Sequence, residues 1–92
     1  MKDTLALVVD DDPIIRKLVR SNLEQRGCAV RESFGGSSAI AEMEYRTPDL
    51  VILDLIIPDL GGSDVCLWIR ERWEIPIIVM SAQRRRCQSE SA

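Results

Sequence analysis

One short stretch constrains the fold of this chain more than any other. It is the apolar run at residues 50–53, which ends on Asp54 and is stopped by Pro58 and a glycine pair. A continuous apolar run of this length between turn residues is typical of a strand buried on both faces, as in parallel sheets. Carboxylates at the C-terminal ends of such strands lie where open α/β sheets bind ligands. Asp54 is therefore the first candidate functional residue.

The rest of the sequence alternates between apolar runs and helical patterns. Strands are predicted at residues 5–9, 29–34, 50–54 and 76–81, and helices at residues 13–26, 37–46 and 63–73. This β-α-β-α-β-α-β order implies a parallel sheet with right-handed crossovers and helices on both faces. From Gln83 onward there is little to bury, so we expect residues 83–92 to form a polar tail.

Local signals indicate where the helices begin and which faces they bury. Asp12 is placed to cap the first helix, with Pro13 in its first turn and Gly27 at its end. Ser37 or Ser38 is the predicted cap of the second helix. In the first helix the periodicity points Ile14, Ile15, Leu18, Val19 and Leu23 inward, and Arg16, Lys17, Arg20 and Arg26 away.

Composition argues against several classes of function. The 12 basic and 15 acidic residues give a net charge of −3, which disfavours nucleic acid or an anionic membrane as the main partner. The three cysteines form no CxxC pair and the chain has no histidine, so we expect reduced thiols rather than disulfides or a zinc site. There is neither a signal-peptide pattern nor an apolar run of membrane-spanning length. We therefore expect a cytoplasmic domain.

Acidic residues follow two of the predicted strands. Asp10 and Asp11 come after the first strand, and Asp54 ends the third. If these strands are neighbours, the carboxylates converge, and their mutual repulsion calls for a compensating cation. Mg²⁺ is the obvious candidate, since it prefers oxygen ligands and would leave a carboxylate free to attack a phosphoryl group.

Each of these features also has an ordinary explanation. Three aspartates before a helix usually form a cap and a solvated turn, and a single aspartate after an apolar run usually marks only a strand end. Ser81, at the end of the fourth strand, would by itself be an ordinary hydroxyl. The conjunction of suitable groups at three strand ends favours a single phosphoryl site instead.

The chain resembles a two-component response-regulator receiver domain of the CheY-like type. The resemblance is carried by VVDDDP at residues 8–13, by PDLVILD at residues 48–54 with Pro58 and Gly62, and by IIVMSA at residues 77–82. It covers about residues 4–82. It implies a flavodoxin-like α/β fold in which the parallel strands of this chain take the order 2-1-3-4.

By position, the resemblance also implies roles for individual residues. Asp54 matches the phospho-acceptor that takes the phosphoryl group from a sensor histidine kinase or phosphotransfer protein. Asp11 matches a direct Mg²⁺ ligand, Asp10 one that acts largely through water, and Asp54 completes the acidic set. Ile56 matches the position that binds the metal through its backbone carbonyl. Ser81 matches the residue that hydrogen-bonds the phosphoryl group and couples it to conformational change.

The sequence departs from the family pattern in two places. Gly61 stands where the family usually has Asp or Asn, which is a minor change. Receivers normally continue through a fourth helix, a fifth strand ending in Lys-Pro and a fifth helix, whereas here the only lysines are Lys2 and Lys17. We therefore expect a receiver truncated after the fourth strand, at residues 1–82. Its exposed edge at residues 77–80 should favour a homodimer or segment exchange.

Three functions follow as hypotheses. The leading one is a Mg²⁺-dependent phospho-acceptor that is no enzyme beyond self-phosphorylation and autodephosphorylation. The alternative is a receiver-like remnant that no longer switches and serves as a dimerisation or docking module. A phosphatase of the haloacid-dehalogenase type is suggested by the aspartates at residues 10–12, but that family needs a lysine beyond its Ser/Thr motif and normally a cap domain. Phosphorylation of Asp54 separates the first two.

Overall fold

The protein is described by a computed structural model over residues 4–57 and 59–80. The elements are β1 (Leu5–Val9), α1 (Pro13–Gln25), β2 (Ala29–Ser33), α2 (Gly36–Tyr45), β3 (Leu50–Asp54), α3 (Gly62–Arg72) and β4 (Ile77–Met80). The four strands pair in parallel in the order β2-β1-β3-β4, which confirms the predicted fold class. No helix in this described part of the chain is long and apolar enough to cross a membrane.

The main core lies between the sheet and two of the helices. Its strand residues are Leu7, Val9, Val51 and Leu53, and its helix residues are Ala39 and Met43 of α2 with Val65 and Ile69 of α3. Alternate residues of a strand point to opposite faces, so this cluster occupies one face of the sheet. Helix α1 packs on β1 and β2 and contributes nothing to the cluster, which agrees with helices on both faces.

The strand register brings the candidate residues to one edge. Val9 of β1 pairs with Leu53 of β3, so Asp10 and Asp54 each follow a residue of the same pair. On the other side of β3, Asp54 pairs with Met80. The C-terminal ends of three neighbouring strands therefore meet at one edge of the sheet.

Helix α1 departs from the predicted distribution of side chains. Ile14 and Leu18 were predicted to face inward but are 69% and 57% exposed. Arg16 was predicted to face away, yet its Nε lies 2.8 Å from Glu32 Oε1 and its Nη1 donates to the carbonyl oxygen of Asp10 at 2.8 Å. The helix rests on β1 and β2 along a narrower strip than the apolar stripe suggests, and the long arginine side chain reaches the sheet beside it.

Helix α2 also begins differently from the prediction. Its N-cap is Gly35, which has no side chain to accept a hydrogen bond. The first amide groups, those of Gly36 and Ser37, donate instead to the carboxylate of Asp59 in the loop between β3 and α3. The predicted serine cap is therefore wrong, because a carboxylate distant in sequence takes its place.

Strand β4 forms an edge of the described sheet. Within residues 4–57 and 59–80 it pairs with β3 alone, and Ile78 and Val79 are 52% and 37% exposed. The expected apolar edge is therefore observed over residues 77–80. Pro58, Ser81 and the predicted tail at residues 83–92 lie outside the described residues.

Candidate functional site

Three carboxylates converge at the C-terminal edge of the sheet. Asp10, Asp11 and Asp54 each place an oxygen within 4.8 Å of the others. Asp10 and Asp54 are buried, with 3% and 8% of their surface exposed, whereas Asp11 is exposed. The convergence expected from neighbouring strand ends is thus observed, and one side of the cluster is open to solvent.

The turn between β1 and α1 holds Asp10 at both its backbone and its side chain. Its N–H donates to the carbonyl of Ser33 at 3.0 Å, and its own carbonyl accepts from Arg16 Nη1. Its Oδ1 accepts the N–H of Asp12 at 2.9 Å. The carboxylate of Asp12 in turn accepts the N–H of Ile14 at 2.9 Å, which is the predicted cap of α1. The turn is therefore fixed by contacts outside the acidic cluster.

The segment after β3 turns tightly around Asp54. Asp54 Oδ1 accepts the N–H of Ile56 at 3.0 Å. The N–H of Leu55 donates to the carbonyl of Met80 at 3.2 Å, and the carbonyl of Leu55 accepts from Gly62 at 3.1 Å. A Cβ on Gly62 would overlap Leu55 Cα and lie 2.7 Å from the carbonyl oxygen of Asp54, so only glycine fits there. The backbone of β3 and the first turn of α3 thus meet directly behind the acceptor candidate.

The electrostatics of the cluster are unfavourable in the absence of a cation. Burial raises the pKa of Asp10, and the negative charges of Asp54, Asp11 and Asp12 raise it further, while the hydrogen bond from the Asp12 amide opposes them. Carboxylate oxygens with an open side suit a hard divalent ion that keeps several water ligands. These residues therefore fit Mg²⁺ in both charge and donor type.

Two of the predicted site residues are less fully defined. Ile56 lies in the bend after β3 with its side chain 54% exposed, and its amide is bonded to Asp54. Ser81 lies just beyond the described segment, next to Met80, which pairs with Asp54. The proposed roles of Ile56 and Ser81 stay predictions.

The site also contains residues that sequence reasoning did not single out. Arg16 and Arg20 both contact Glu32 of β2, at 2.8 and 2.6 Å, and Arg16 also reaches the carbonyl of Asp10. These bonds, that from Arg16 first, lower the pKa of Glu32. The available signal was a glutamate on an edge strand opposite two arginines one turn apart on α1. Asp59, which accepts the first amide groups of α2, is the other residue near the site that sequence reasoning did not single out.

The open parallel sheet in the order β2-β1-β3-β4, with carboxylates at adjacent strand ends, places this chain in the flavodoxin-like α/β class. The sequence model of the response regulator receiver domain family matches residues 6–91 of this chain. The chain is 42% identical over 81 residues to the transcriptional regulatory protein ResD of Bacillus subtilis, covering 88% of this chain and 34% of ResD. It is also 42% identical over 80 residues to KdpE of Mycobacterium tuberculosis, covering 87% of this chain and 35% of KdpE.

A solved structure agrees with this assignment. The BeF3-activated N-terminal receiver domain of RstA from Klebsiella pneumoniae superposes with a TM-score of 0.81 at 28% identity, covering 85% of this chain and 67% of that one. The chain belongs to the response regulator receiver family. It spans about a third of the length of the two curated relatives.

Proposed function

We propose that this chain is the phospho-acceptor receiver domain of a two-component system and takes a phosphoryl group from a histidine kinase or phosphotransfer protein onto Asp54. The observation that carries the proposal is the convergence of three carboxylates within 4.8 Å at the sheet edge. Membership of the receiver family supports it. Asp54 is the natural acceptor because it ends the central strand β3 and is held by the backbone that follows it.

The chemistry is a transfer of one phosphoryl group between two side chains. Asp54 Oδ1 accepts the Ile56 amide, and among the described residues no hydrogen bond reaches Oδ2, which we assign as the attacking oxygen. A bond forms between this oxygen and phosphorus while the bond from phosphorus to the donor imidazole nitrogen breaks, and that nitrogen keeps the electron pair and takes up a proton. The product is an aspartyl phosphate.

The remaining site residues have supporting roles in this proposal. Asp10, Asp11 and Asp54, with the backbone carbonyl of Ile56, would hold Mg²⁺. When bound, the metal neutralises charge on the carboxylates and on the incoming phosphoryl oxygens. Ser81 would donate a hydrogen bond to the phosphoryl group and report its arrival to the rest of the domain. The domain limits at residues 1–82 and the cytoplasmic location stay predictions.

The test is the intact mass of the protein after incubation with Mg²⁺ and a small phosphodonor such as acetyl phosphate. We expect one phosphoryl adduct that requires Mg²⁺ and is absent in Asp54→Ala. Asp49→Ala is the matched control, because it removes an equivalent charge from the opposite end of β3. Absence of an adduct on the folded wild-type protein, or an adduct that persists in Asp54→Ala, would refute the proposal.

A second candidate function is a dimerisation or docking module that does not switch. The observation that favours it is the apolar edge strand β4, where Ile78 and Val79 are exposed. Edge strands of this kind pair readily with another chain. Light scattering over a concentration series tests it: a dimer that Val79→Lys dissociates would support the module, and a compact monomer at every concentration would exclude self-association.

A further inference from the structure

The start of α2 is capped by the loop that follows the acceptor strand β3. Asp59 Oδ1 accepts the N–H of Gly36 at 3.0 Å and that of Ser37 at 3.3 Å, and it also accepts the N–H of Leu60. The first amide groups of a helix have no partner within the helix, and the N-cap residue Gly35 supplies none. Asp59 therefore provides the cap from more than twenty residues away in sequence.

Asp59 is held in an unusual backbone conformation. Its φ is 60°, in the left-handed region that aspartate enters more readily than most residues. The hydrogen bonds to its carboxylate, that from Leu60 first, lower the pKa of Asp59, so the side chain is anionic at neutral pH. A negative charge at the N-terminus of a helix is favoured by the helix dipole. The side chain thus suits this position in both charge and hydrogen bonding.

The packing between α2 and this loop is also close. A Cβ added to Gly36 would lie 2.5 Å from Leu60 Cβ and 2.9 Å from Asp59 Oδ1. Real Cβ atoms do not approach other atoms this closely, so a larger residue at position 36 would push the loop away. The contact can therefore be loosened from either side, at Asp59 or at Gly36.

We propose that Asp59 is a positioning residue for the acceptor site, holding the described part of the loop after β3, residues 55–57 and 59–61, against the start of α2. The inference rests on the proposed function. The loop begins directly after Asp54 and contains Ile56, whose carbonyl is a proposed metal ligand, and its other end is fixed where Gly62 meets Leu55. Asp59 anchors the part of the loop between these fixed ends. Its influence on the metal is exerted through the position of Ile56.

The proposal makes binding at the acidic cluster and order at the start of α2 mutually dependent. If an ordered loop favours Mg²⁺, then Mg²⁺ must favour the ordered loop by the same factor, because coupling between two equilibria is reciprocal. Mg²⁺ should therefore slow hydrogen exchange at the amides of Gly36 and Ser37, although these amides lie on α2 rather than in the cluster. Loss of the Asp59 carboxylate should abolish that effect.

The experiment compares variants by titration with MgCl₂ alone, followed by NMR chemical shifts and amide exchange. We expect Asp59→Ala to weaken Mg²⁺ affinity about five-fold or more, the usual range for coupled sites. Asp59→Asn keeps an acceptor oxygen and should restore most of the affinity. Gly36→Ala should weaken Mg²⁺ in the same direction as Asp59→Ala. Asp49→Ala removes a hydrogen bond at the far end of β3 and should leave the affinity unchanged.

The outcomes distinguish this inference from the function on which it rests. Mg²⁺ binding by the wild type with equal affinity in Asp59→Ala and Gly36→Ala would overturn the positioning role and leave the proposed function intact. Protection of Gly36 and Ser37 by Mg²⁺ that persists in Asp59→Ala would also overturn it. A folded wild type that binds no Mg²⁺ would overturn both. Should Asp59→Ala fail to fold, Gly36→Ala decides by the same comparison.

Discussion

The acidic cluster should make the protein less stable than a variant that lacks one of its charges. The carboxylates of Asp10 and Asp54 have oxygens within 4.8 Å of each other, and two unit charges at that distance repel by about 3.5 kcal/mol at an effective dielectric constant of about 20. Asp10→Asn removes this repulsion while keeping an oxygen to accept the Asp12 amide. A neutral acceptor forms a weaker hydrogen bond than a carboxylate, which offsets about 1 kcal/mol of the stability gained by removing the repulsion. We therefore expect the free energy of unfolding to rise by about 2.5 kcal/mol in EDTA.

Thermal and urea denaturation followed by circular dichroism measure this change. For a chain of this size, about 2.5 kcal/mol corresponds to a rise in Tm of roughly 10–20 °C. Asp49→Asn is the matched control: it removes the same charge from a carboxylate that accepts the Leu5 amide at 2.8 Å, at the far end of the sheet. That variant should gain no stability. Asp10→Asn less stable than the wild type in EDTA would refute the reasoning.

The dependence on pH and on Mg²⁺ gives two internal checks. The pKa of Asp10 is raised in the folded protein, so the wild type loses stability as the pH rises from 3.8 through the folded-state value. The advantage of Asp10→Asn should therefore disappear in acid. At Mg²⁺ ten-fold above its Kd the wild type should gain about 1.4 kcal/mol and the variant less, because the ion supplies the missing compensation.

Three further substitutions test the contacts around the site and the core. Glu32→Gln should lower the free energy of unfolding by about 1 kcal/mol at neutral pH, as measured by urea denaturation. The ion pairs with arginine lower the pKa of Glu32, so the glutamate stabilises the fold above pH 4.5. The difference between the two proteins should vanish as the pH falls through the folded-state pKa of Glu32. Met43→Ala should lower the free energy of unfolding by about 2–5 kcal/mol in the same assay, and Leu67→Ala, which is 60% exposed, by far less. Gly62→Ala should lower the free energy of unfolding by about 3 kcal/mol, and with it Tm, because the added Cβ overlaps the backbone. Gly61→Ala should have a much smaller effect, since a Cβ there meets only a side-chain oxygen at 3.8 Å.

The strands were predictable because each is a short apolar run with clear ends. The limits predicted for β1 and β3 are those observed, Leu5–Val9 and Leu50–Asp54. Hydrophobic pattern does not determine the order in which buried parallel strands pair, however, since any of them can occupy the centre of a sheet. The order came from the resemblance to receivers.

The acidic cluster was predictable for a topological reason. Parallel strands end at the same edge, so residues that follow two neighbouring strands meet there, and β1 and β3 are neighbours. Periodicity alone did not predict the exposure of Ile14 and Leu18. Periodicity gives the direction of an apolar stripe, but the width of the strip that is covered depends on how α1 rests on the sheet.

Two residues that position the site escaped prediction because their contacts are not local. Arg16 lies in a helix where charged side chains are normally solvated, and its partner Glu32 lies on a different element. Asp59 follows a proline in a turn, where aspartate is common without any tertiary role, and caps a helix that begins at Gly36. Neither contact joins residues at a helical or strand period, so hydrophobic periodicity does not reveal either of them.

These two residues explain how a repulsive cluster keeps a defined shape. Like charges cannot hold one another in place, so the segments that carry them must be secured by contacts elsewhere. Arg16 secures the carbonyl of Asp10 on one side, and Asp59 secures the loop after Asp54 on the other. Substitution of a cluster carboxylate changes the charge and should raise stability without Mg²⁺, whereas substitution of Arg16 or Asp59 changes position and should lower it. The opposite signs separate charge from geometry in a single denaturation assay.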